Sequence, residues 1–146
     1  MSIAIASDHA GFGLKKAVVE YLERHRLEYL DLGVRSEERV DYPDYGYAAA
    51  QAVASGQCTL GIIICGTGIG ISITANKVRG IRAALCCSEY MAEMARKHND
   101  ANVLALGGRV ISPDLAEKIV DVFLHTDFER GRHAVRVPKI HPFTQS

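Results

Sequence analysis

The chain has 146 residues, of which 48% are hydrophobic and 23% are charged. This length and composition predict one folded domain, residues 1–146, with its own hydrophobic core. Lysine plus arginine and aspartate plus glutamate balance at 17 each, which excludes the strong positive field typical of proteins that bind nucleic acid or membrane surfaces. No apolar run approaches the roughly 18 residues of a membrane span, so we expect a cytoplasmic protein without a membrane partner.

Short apolar runs alternate with segments of helical periodicity along the chain. The third run, Leu60–Cys65, contains no polar residue, as expected for a strand that helices cover on both faces. The alternation predicts an α/β fold of the doubly wound, Rossmann-like type, a three-layer sandwich with a five-stranded parallel sheet and helices on both faces. The predicted strands are Ile3–Ala6, Leu27–Leu32, Leu60–Cys65, Ile81–Leu85 and Asn102–Leu106.

Two signals concern the end of the chain. The last helix is predicted to begin at Pro113 with Ser112 as its N-cap. Residues from about 129 to 146 lie beyond the alternating pattern and are basic. Arg132 and Arg136 are four residues apart, so on a helix they share one face and can hold a phosphate group together. A solvated basic tail is the alternative interpretation.

Residues that can carry chemistry lie at or just beyond the ends of three of the predicted strands. Asp8 and His9 follow the first strand, Cys65 ends the third, and Arg109 follows the fifth. In an open parallel sheet the ligand binds beyond the carboxyl ends of the strands. We therefore expect these side chains to converge on one crevice.

A glycine-rich loop, Gly66-Thr67-Gly68-Ile69-Gly70, follows Cys65 directly. Glycines allow backbone N–H groups to turn toward a ligand, and the start of the next helix favours negative charge. The loop follows the third strand and lacks the GxGxxG spacing of dinucleotide-binding proteins, and no Lys-Ser or Lys-Thr pair of a P-loop follows it. The sequence therefore predicts an anion cradle that does not serve NAD or ATP.

A thiolate at Cys65 has two possible roles, nucleophile or base. The position six residues later, where a cysteine phosphatase needs an arginine, holds Ile71. A thiolate beside an anion cradle instead suits proton abstraction next to a carbonyl, because the enediolate oxygen then meets fixed donors. The other cysteines, Cys58, Cys86 and Cys87, form no CxxC pair, and we expect all four to be reduced thiols.

His98 permits two interpretations. Periodicity aligns it with Met91, Met94 and Ala95 on an apolar helix face, which favours a histidine of the core. Asn99 and Asp100 follow directly and are typical of a helix end, which instead brings His98 close to a loop.

Six motifs in order give this chain its resemblance to a known family. It resembles the ribose-5-phosphate isomerase type B family, within a wider group that includes galactose-6-phosphate and allose-6-phosphate isomerases. The resemblance runs from about Ile3 to Arg136. The motifs are Ser7-Asp8-His9-Ala10-Gly11, Asp41-Tyr42-Pro43, Cys65 to Gly70, Arg79-Gly80-Ile81-Arg82-Ala83, His98-Asn99-Asp100 and Gly131-Arg132-His133.

The resemblance implies an isomerase of the pentose phosphate pathway that interconverts D-ribose 5-phosphate and D-ribulose 5-phosphate. It implies a homodimer or a dimer of dimers with active sites at the interface, a basic tail packed there, and no metal or other cofactor. Some members carry a glutamate base at the position of Ile71, so Cys65 with Ile71 places this chain in the cysteine-base subgroup.

The resemblance also assigns roles to individual residues. Cys65 is the base that moves a proton between C2 and C1, and His98, helped by Thr67, opens the sugar ring. The N–H groups from Thr67 to Gly70 stabilise the enediolate. Asp8, His9 and Asn99 bind sugar hydroxyls or assist ring opening, and Tyr42 lines the sugar pocket. The phosphate is held by Arg109, Arg132 and Arg136, with at least one contribution from the partner subunit.

Two alternatives remain open on the sequence alone. An isomerase of six-carbon sugar phosphates carries the same motifs, because pocket length distinguishes five from six carbons. A flavodoxin-like nucleotide-binding module without catalysis shares the alternation of strands and helices, but it does not require Cys65 and His98 together.

Overall fold

Five strands pair in parallel in the order β2-β1-β3-β5-β4, in a computed structural model that describes residues 1–144. Leu60–Cys65 occupies the central position, as its apolar sequence predicts. The five-stranded parallel sheet is therefore confirmed. The strands are β1 Ser2–Ser7, β2 Glu28–Asp31, β3 Leu60–Cys65, β4 Ala83–Leu85 and β5 Val103–Gly107.

Six α-helices in the described part of the chain connect and follow the strands. The predicted N-cap of the fifth helix is confirmed, because Ser112 Oγ accepts a hydrogen bond from Leu115 N–H at 3.2 Å. Within residues 1–144, no helix has the length and apolar character needed to cross a bilayer. The helices are α1 Phe12–Arg24, α2 Tyr42–Ala54, α3 Ile69–Ala75, α4 Glu89–Asn99, α5 Pro113–His125 and α6 Arg132–Arg136.

Side chains alternate between the two faces of the sheet and build two cores. In β1, Ile3 and Ile5 pack on the side of α1, α4 and α5. Ala4 and Ala6 pack on the side of α2 and α3. Successive side chains of a strand point to opposite faces, so helices lie on both sides of the sheet and the predicted three-layer sandwich is confirmed.

The structure differs from two local predictions, the buried face of α4 and the length of β4. The buried face of α4 carries Ala92 and Ala95, whereas Met91 is 43% exposed, because small side chains let the helix approach the sheet closely. The run predicted from Ile81 forms a shorter strand, β4, since Arg82 and the first strand residue, Ala83, donate their N–H groups to the side chains of Asn102 and Asn76.

The strand order opens a crevice between β1 and β3. From β1 the sheet extends on one side through β2 and on the other through β3, and ligands of open α/β sheets bind at such a switch point. Flavodoxin-like proteins have the order 2-1-3-4-5, whereas here the last two strands are exchanged. The exchange counts against the flavodoxin-like alternative.

A buried lysine, which the sequence patterns did not reveal, ties α1 to the end of β2. Lys15 is only 2% exposed, and its Nζ donates to Asp31 Oδ1 at 2.7 Å and to the Val34 carbonyl at 2.6 Å. The same carboxylate oxygen accepts the Gly33 N–H at 2.9 Å. The lysine therefore fixes the segment that leaves β2.

We expect Lys15→Met to destabilise the protein by about 2–3 kcal/mol, because it leaves a buried carbonyl unpaired and a carboxylate without its cation. The carboxylate of Asp31 is 27% exposed, and its contact with water keeps the loss moderate. Urea unfolding measures the change, with the neighbouring exposed residue Lys16 replaced by methionine as the control. Equal stability of the two variants would contradict the role of Lys15.

Candidate active site

A crevice of about 400 Å³ opens at the carboxyl ends of β1, β3 and β5. Every residue that lines it, apart from Ala10, was predicted from the sequence. Its size is in the range of small-molecule sites. The lining residues are Asp8, His9, Ala10, Tyr42, Cys65, Gly66, Thr67, Ile69, Gly70 and Arg109.

Cys65 lies at the floor of this crevice, at the end of the central strand. Its Sγ accepts the N–H of Gly68 at 3.2 Å, and its side chain is 4% exposed. The Cys65 carbonyl accepts the N–H of Gly108 at 2.8 Å, and the Gly66 carbonyl accepts the N–H of Arg109 at 2.9 Å. The sulfur is thus held in place with a backbone N–H directed at it.

The conformation of the loop after Cys65 depends on Gly68, which does not itself line the crevice. Gly68 has φ +80, a backbone conformation that strains other residues. A Cβ atom there would lie 2.5 Å from Leu85 Cδ1 and 2.9 Å from the carbonyl carbon of Leu106. Only glycine therefore brings this N–H to the sulfur.

Gly68→Ala is expected to cost about 2–4 kcal/mol of stability through left-handed strain and overpacking. Turnover of the folded variant should fall about tenfold, because loss of one hydrogen bond of about 1.4 kcal/mol corresponds to that factor. Gly13→Ala is the control, since a Cβ at Gly13 meets nothing within 4 Å. If Gly68→Ala matched this control in both unfolding and turnover, the loop would not depend on glycine.

Asp8 and His9 are oriented by backbone groups. Asp8 Oδ1 accepts the N–H of Gly11 at 2.9 Å, and His9 Nδ1 accepts the N–H of Val40 at 3.2 Å. A backbone N–H can only donate, so Nδ1 of His9 is unprotonated and its proton is on Nε2. His9 therefore offers a donor, and Asp8 keeps one carboxylate oxygen for a ligand.

Besides Gly68, four predicted site residues do not line this crevice within one chain. His98 is half-buried near the end of α4, and its ring stacks on that of His133 with centroids 4.2 Å apart. Asn99 lines a separate depression of about 320 Å³ beside β4, together with Ile140. Arg132 and Arg136 are exposed on α6.

The end of the described chain is folded. Arg132 and Arg136 share a helix, as their spacing predicts, and His133 and Val137 anchor that helix with buried side chains. Residues 132–137 therefore form a folded segment, while the side chains of Arg132 and Arg136 are exposed to solvent. Gln145 and Ser146, the last residues of the predicted tail, lie outside the described residues.

The side chains of His98, Glu129 and His133 bring three potential metal ligands within 4.8 Å of one another. The two rings, however, are nearly parallel, with 15° between their planes. A metal bound by two histidines lies close to both ring planes, which stacked rings cannot offer to one ion. The absence of a metal remains a prediction.

His133 is a buried titratable residue for which the sequence predicted no role. Its side chain and that of Val137, one helical turn later, are both buried. Burial lowers the pKa of His133, and the nearby positive charges of His98, Arg132 and Arg136 lower it further, whereas Glu129 opposes them. The unfolded chain, with a histidine pKa near 6.5, then binds this proton first as the pH falls. Stability is therefore lost below about pH 6.5.

We expect the melting temperature of the wild-type protein to fall more between pH 7 and pH 5.5 than that of His133→Phe, because phenylalanine has no proton to bind. Differential scanning calorimetry at the two pH values measures both decreases. Equal decreases in the two proteins would show that His133 does not contribute to the acid sensitivity.

The remaining cysteines do not share the surroundings of Cys65. Cys58 and Cys86 are buried, Cys87 is exposed, and none of the four cysteines is in a disulfide. Burial raises the pKa of the Cys86 thiol to about 12, so Cys86 stays protonated and unreactive near neutral pH.

The fold and the side chains of the crevice together indicate what kind of chemistry the site can perform. A thiol at the carboxyl end of the central strand lies beside an arginine, a histidine that donates through Nε2, and a loop with N–H groups at the start of α3. This arrangement can bind an anionic substrate and move a proton within it.

The comparisons with known proteins agree with that class. The Ribose/Galactose Isomerase family model matches residues 3–140. Ribose-5-phosphate isomerase B of Escherichia coli (strain K12) is 51% identical over 138 residues, which cover 94% of this chain and 93% of that protein. This chain therefore belongs to the Ribose/Galactose Isomerase family, and the resemblance seen in the sequence is confirmed.

Solved structures give the same result. Ribose-5-phosphate isomerase B of Clostridium thermocellum has a TM-score of 0.97 and 55% identity, with 98% of this chain and 97% of that chain covered. Ribose-5-phosphate isomerase B of Mycoplasma genitalium, solved with bound ribulose-5-phosphate, has a TM-score of 0.92 and 44% identity, with 97% of this chain and 95% of that chain covered.

Proposed function

We propose that this chain is an aldose-ketose isomerase that interconverts D-ribose 5-phosphate and D-ribulose 5-phosphate, with Cys65 as the catalytic base. The observation that carries the proposal is the Cys65 sulfur in the strand-end crevice, 3.2 Å from the Gly68 N–H. The relatives described above are named as ribose-5-phosphate isomerases, which supports the five-carbon substrate.

The reaction needs a ring opening before the isomerisation. In the furanose, the O1 hydroxyl loses its proton, the ring oxygen O4 gains one, and the C1–O4 bond breaks to leave an aldehyde. His98 carries these protons, with the hydroxyl of Thr67 helping.

The isomerisation is then two proton transfers through one intermediate. The Cys65 thiolate takes the proton from C2, and the electron pair moves onto the carbonyl oxygen to give the enediolate. The N–H groups from Thr67 to Gly70 stabilise that oxygen. The Cys65 thiol returns a proton to C1, while the O2 proton is transferred to O1, and the ketose results.

The remaining predicted residues bind the substrate. Asp8, His9 and Asn99 contact the sugar hydroxyls, and Tyr42 packs along the sugar beside Gly70. Arg109, Arg132 and Arg136 hold the phosphate through charge-assisted hydrogen bonds.

The site is completed by a second copy of the chain in a homodimer. The residues that do not line the Cys65 crevice, namely His98, Asn99, Arg132 and Arg136, include the ring-opening histidine and two phosphate ligands. Ile69 and Ile73 of α3, beside the crevice, are 52% and 55% exposed, and an apolar surface next to a polar crevice suits a subunit interface. The single domain, pairing of dimers into tetramers and a cytoplasmic location remain predictions.

Initial rates on ribose 5-phosphate, allose 6-phosphate and galactose 6-phosphate test this function in one experiment. The proposal predicts the highest kcat/KM on ribose 5-phosphate, with activity retained in the presence of a metal chelator. A preference for either six-carbon substrate would overturn the five-carbon assignment and retain the enzyme class. Inactivity on all three would overturn the class.

A further inference from the structure

We propose that His133 is a positioning residue that holds the imidazole of His98 in the plane required for ring opening. The inference rests on the proposed function, and it assigns His133 no contact with the substrate. It depends on the ring stack, on the way the chain anchors His133, and on the charge of the two rings.

The stack is a contact that constrains the orientation of the His98 ring. Its centroid lies 4.2 Å from that of His133, with 15° between the planes. Among the groups that the structure describes, no hydrogen bond reaches the His98 ring, so this contact limits rotation about its Cβ–Cγ bond. A histidine that transfers protons must present its nitrogen in a defined direction.

The backbone holds His133 against the end of α4. Glu129 N–H donates to the carbonyl of Lys97, the residue before His98, at 3.0 Å. His133 N–H donates to the Arg130 carbonyl at 3.1 Å, and the His133 side chain is only 5% exposed. His133 is therefore the fixed ring of the pair and His98 the accessible one.

The His133 ring serves as an apolar platform. Its buried Nε2 has no hydrogen-bond partner in the part of the chain that the structure describes, and Glu129 Oε1 is 3.8 Å away. His98 faces it from α4, and Glu129, Arg132 and Arg136 surround it from its own segment. Burial and these positive neighbours lower the pKa of His133, so the ring stays neutral and adds no positive charge beside a proton-transferring His98.

Two assays separate positioning from general structure. Conversion of ribose 5-phosphate requires ring opening, whereas exchange of the C1 proton of ribulose 5-phosphate in deuterium oxide does not. Ribulose 5-phosphate is acyclic because its O5 carries the phosphate. A residue that acts through His98 affects the first assay alone.

We expect His133→Ala to lower kcat for ribose 5-phosphate about three- to tenfold, the factor that corresponds to loss of one aromatic stack. Exchange at C1 of ribulose 5-phosphate should change less than about twofold, which corresponds to about 0.4 kcal/mol. His133→Phe, which restores a flat ring, should recover most of the conversion. The exposed histidine His125, replaced by alanine, is the control.

Equal losses in the two assays, no loss in conversion, or no recovery with His133→Phe would each overturn the positioning role. If His133→Ala fails to fold, His133→Gln serves in its place, since glutamine retains polarity and bulk but lacks the ring. Failure of the wild-type protein to convert ribose 5-phosphate would instead overturn the proposed function, which keeps the two outcomes distinct.

Discussion

Replacement of Cys65 by serine is expected to reduce turnover of ribose 5-phosphate by about 10²–10⁴-fold, the usual contribution of a general base. A serine hydroxyl is a far weaker base than a thiolate near neutral pH. The variant should fold normally, because the hydroxyl fits a site where the sulfur is 4% exposed and still accepts the Gly68 N–H. Steady-state kinetics and a thermal melt measure the two properties.

Cys86→Ser is the matched control for Cys65→Ser. Cys86 is also buried, but its thiol stays protonated, since burial raises its pKa to about 12, and it does not line the crevice. Turnover in this variant should stay near that of the wild type. Substantial turnover by Cys65→Ser would remove the thiolate from the mechanism and return the role of base to a histidine or a carboxylate.

Arg132→Ala should weaken productive binding of the sugar phosphate by about ten- to a hundredfold, because a charge-assisted hydrogen bond contributes about 1.5–3 kcal/mol. The contact also fixes the substrate against Cys65, so part of the loss should appear in kcat. Arg130→Ala is the control, since Arg130 is an exposed arginine of the same segment without a proposed role. An equal effect of both variants would show that Arg132 contributes only its positive charge and makes no specific contact with the phosphate.

Subunit exchange tests whether base and arginine come from different chains. Mixing inactive Cys65→Ser protein with impaired Arg132→Ala protein should restore activity, because each heterodimer then contains one intact site. Mass spectrometry of differently tagged chains verifies the exchange independently. Absence of restored activity after verified exchange would show that Cys65 and Arg132 serve the same site within one chain.

The crevice could be predicted from the sequence because its residues follow strands directly. Once Leu60–Cys65 was identified as a buried parallel strand, topology required Cys65 and the glycine loop to meet Asp8 and Arg109 at one edge of the sheet. Hydrophobic runs define strand ends closely. The local sequence pattern was therefore enough to predict the residues of the Cys65 crevice.

Features that depend on contacts between distant segments were not predictable in the same way. The exchange of β4 and β5 in the sheet depends on tertiary packing, and so does the burial of Lys15 against Asp31. The stack of His98 on His133 joins α4 to a segment beyond α5. No periodicity relates residues so far apart.

In the proposed mechanism Cys65 moves the proton between C1 and C2, and proton NMR of ribulose 5-phosphate in deuterium oxide measures this transfer. The substrate is already acyclic, so the spectrum follows the base alone. We expect the wild-type protein to exchange one C1 proton for deuterium, while Cys65→Ser leaves both C1 signals intact over the same time. Exchange by Cys65→Ser at the wild-type rate would contradict this mechanism.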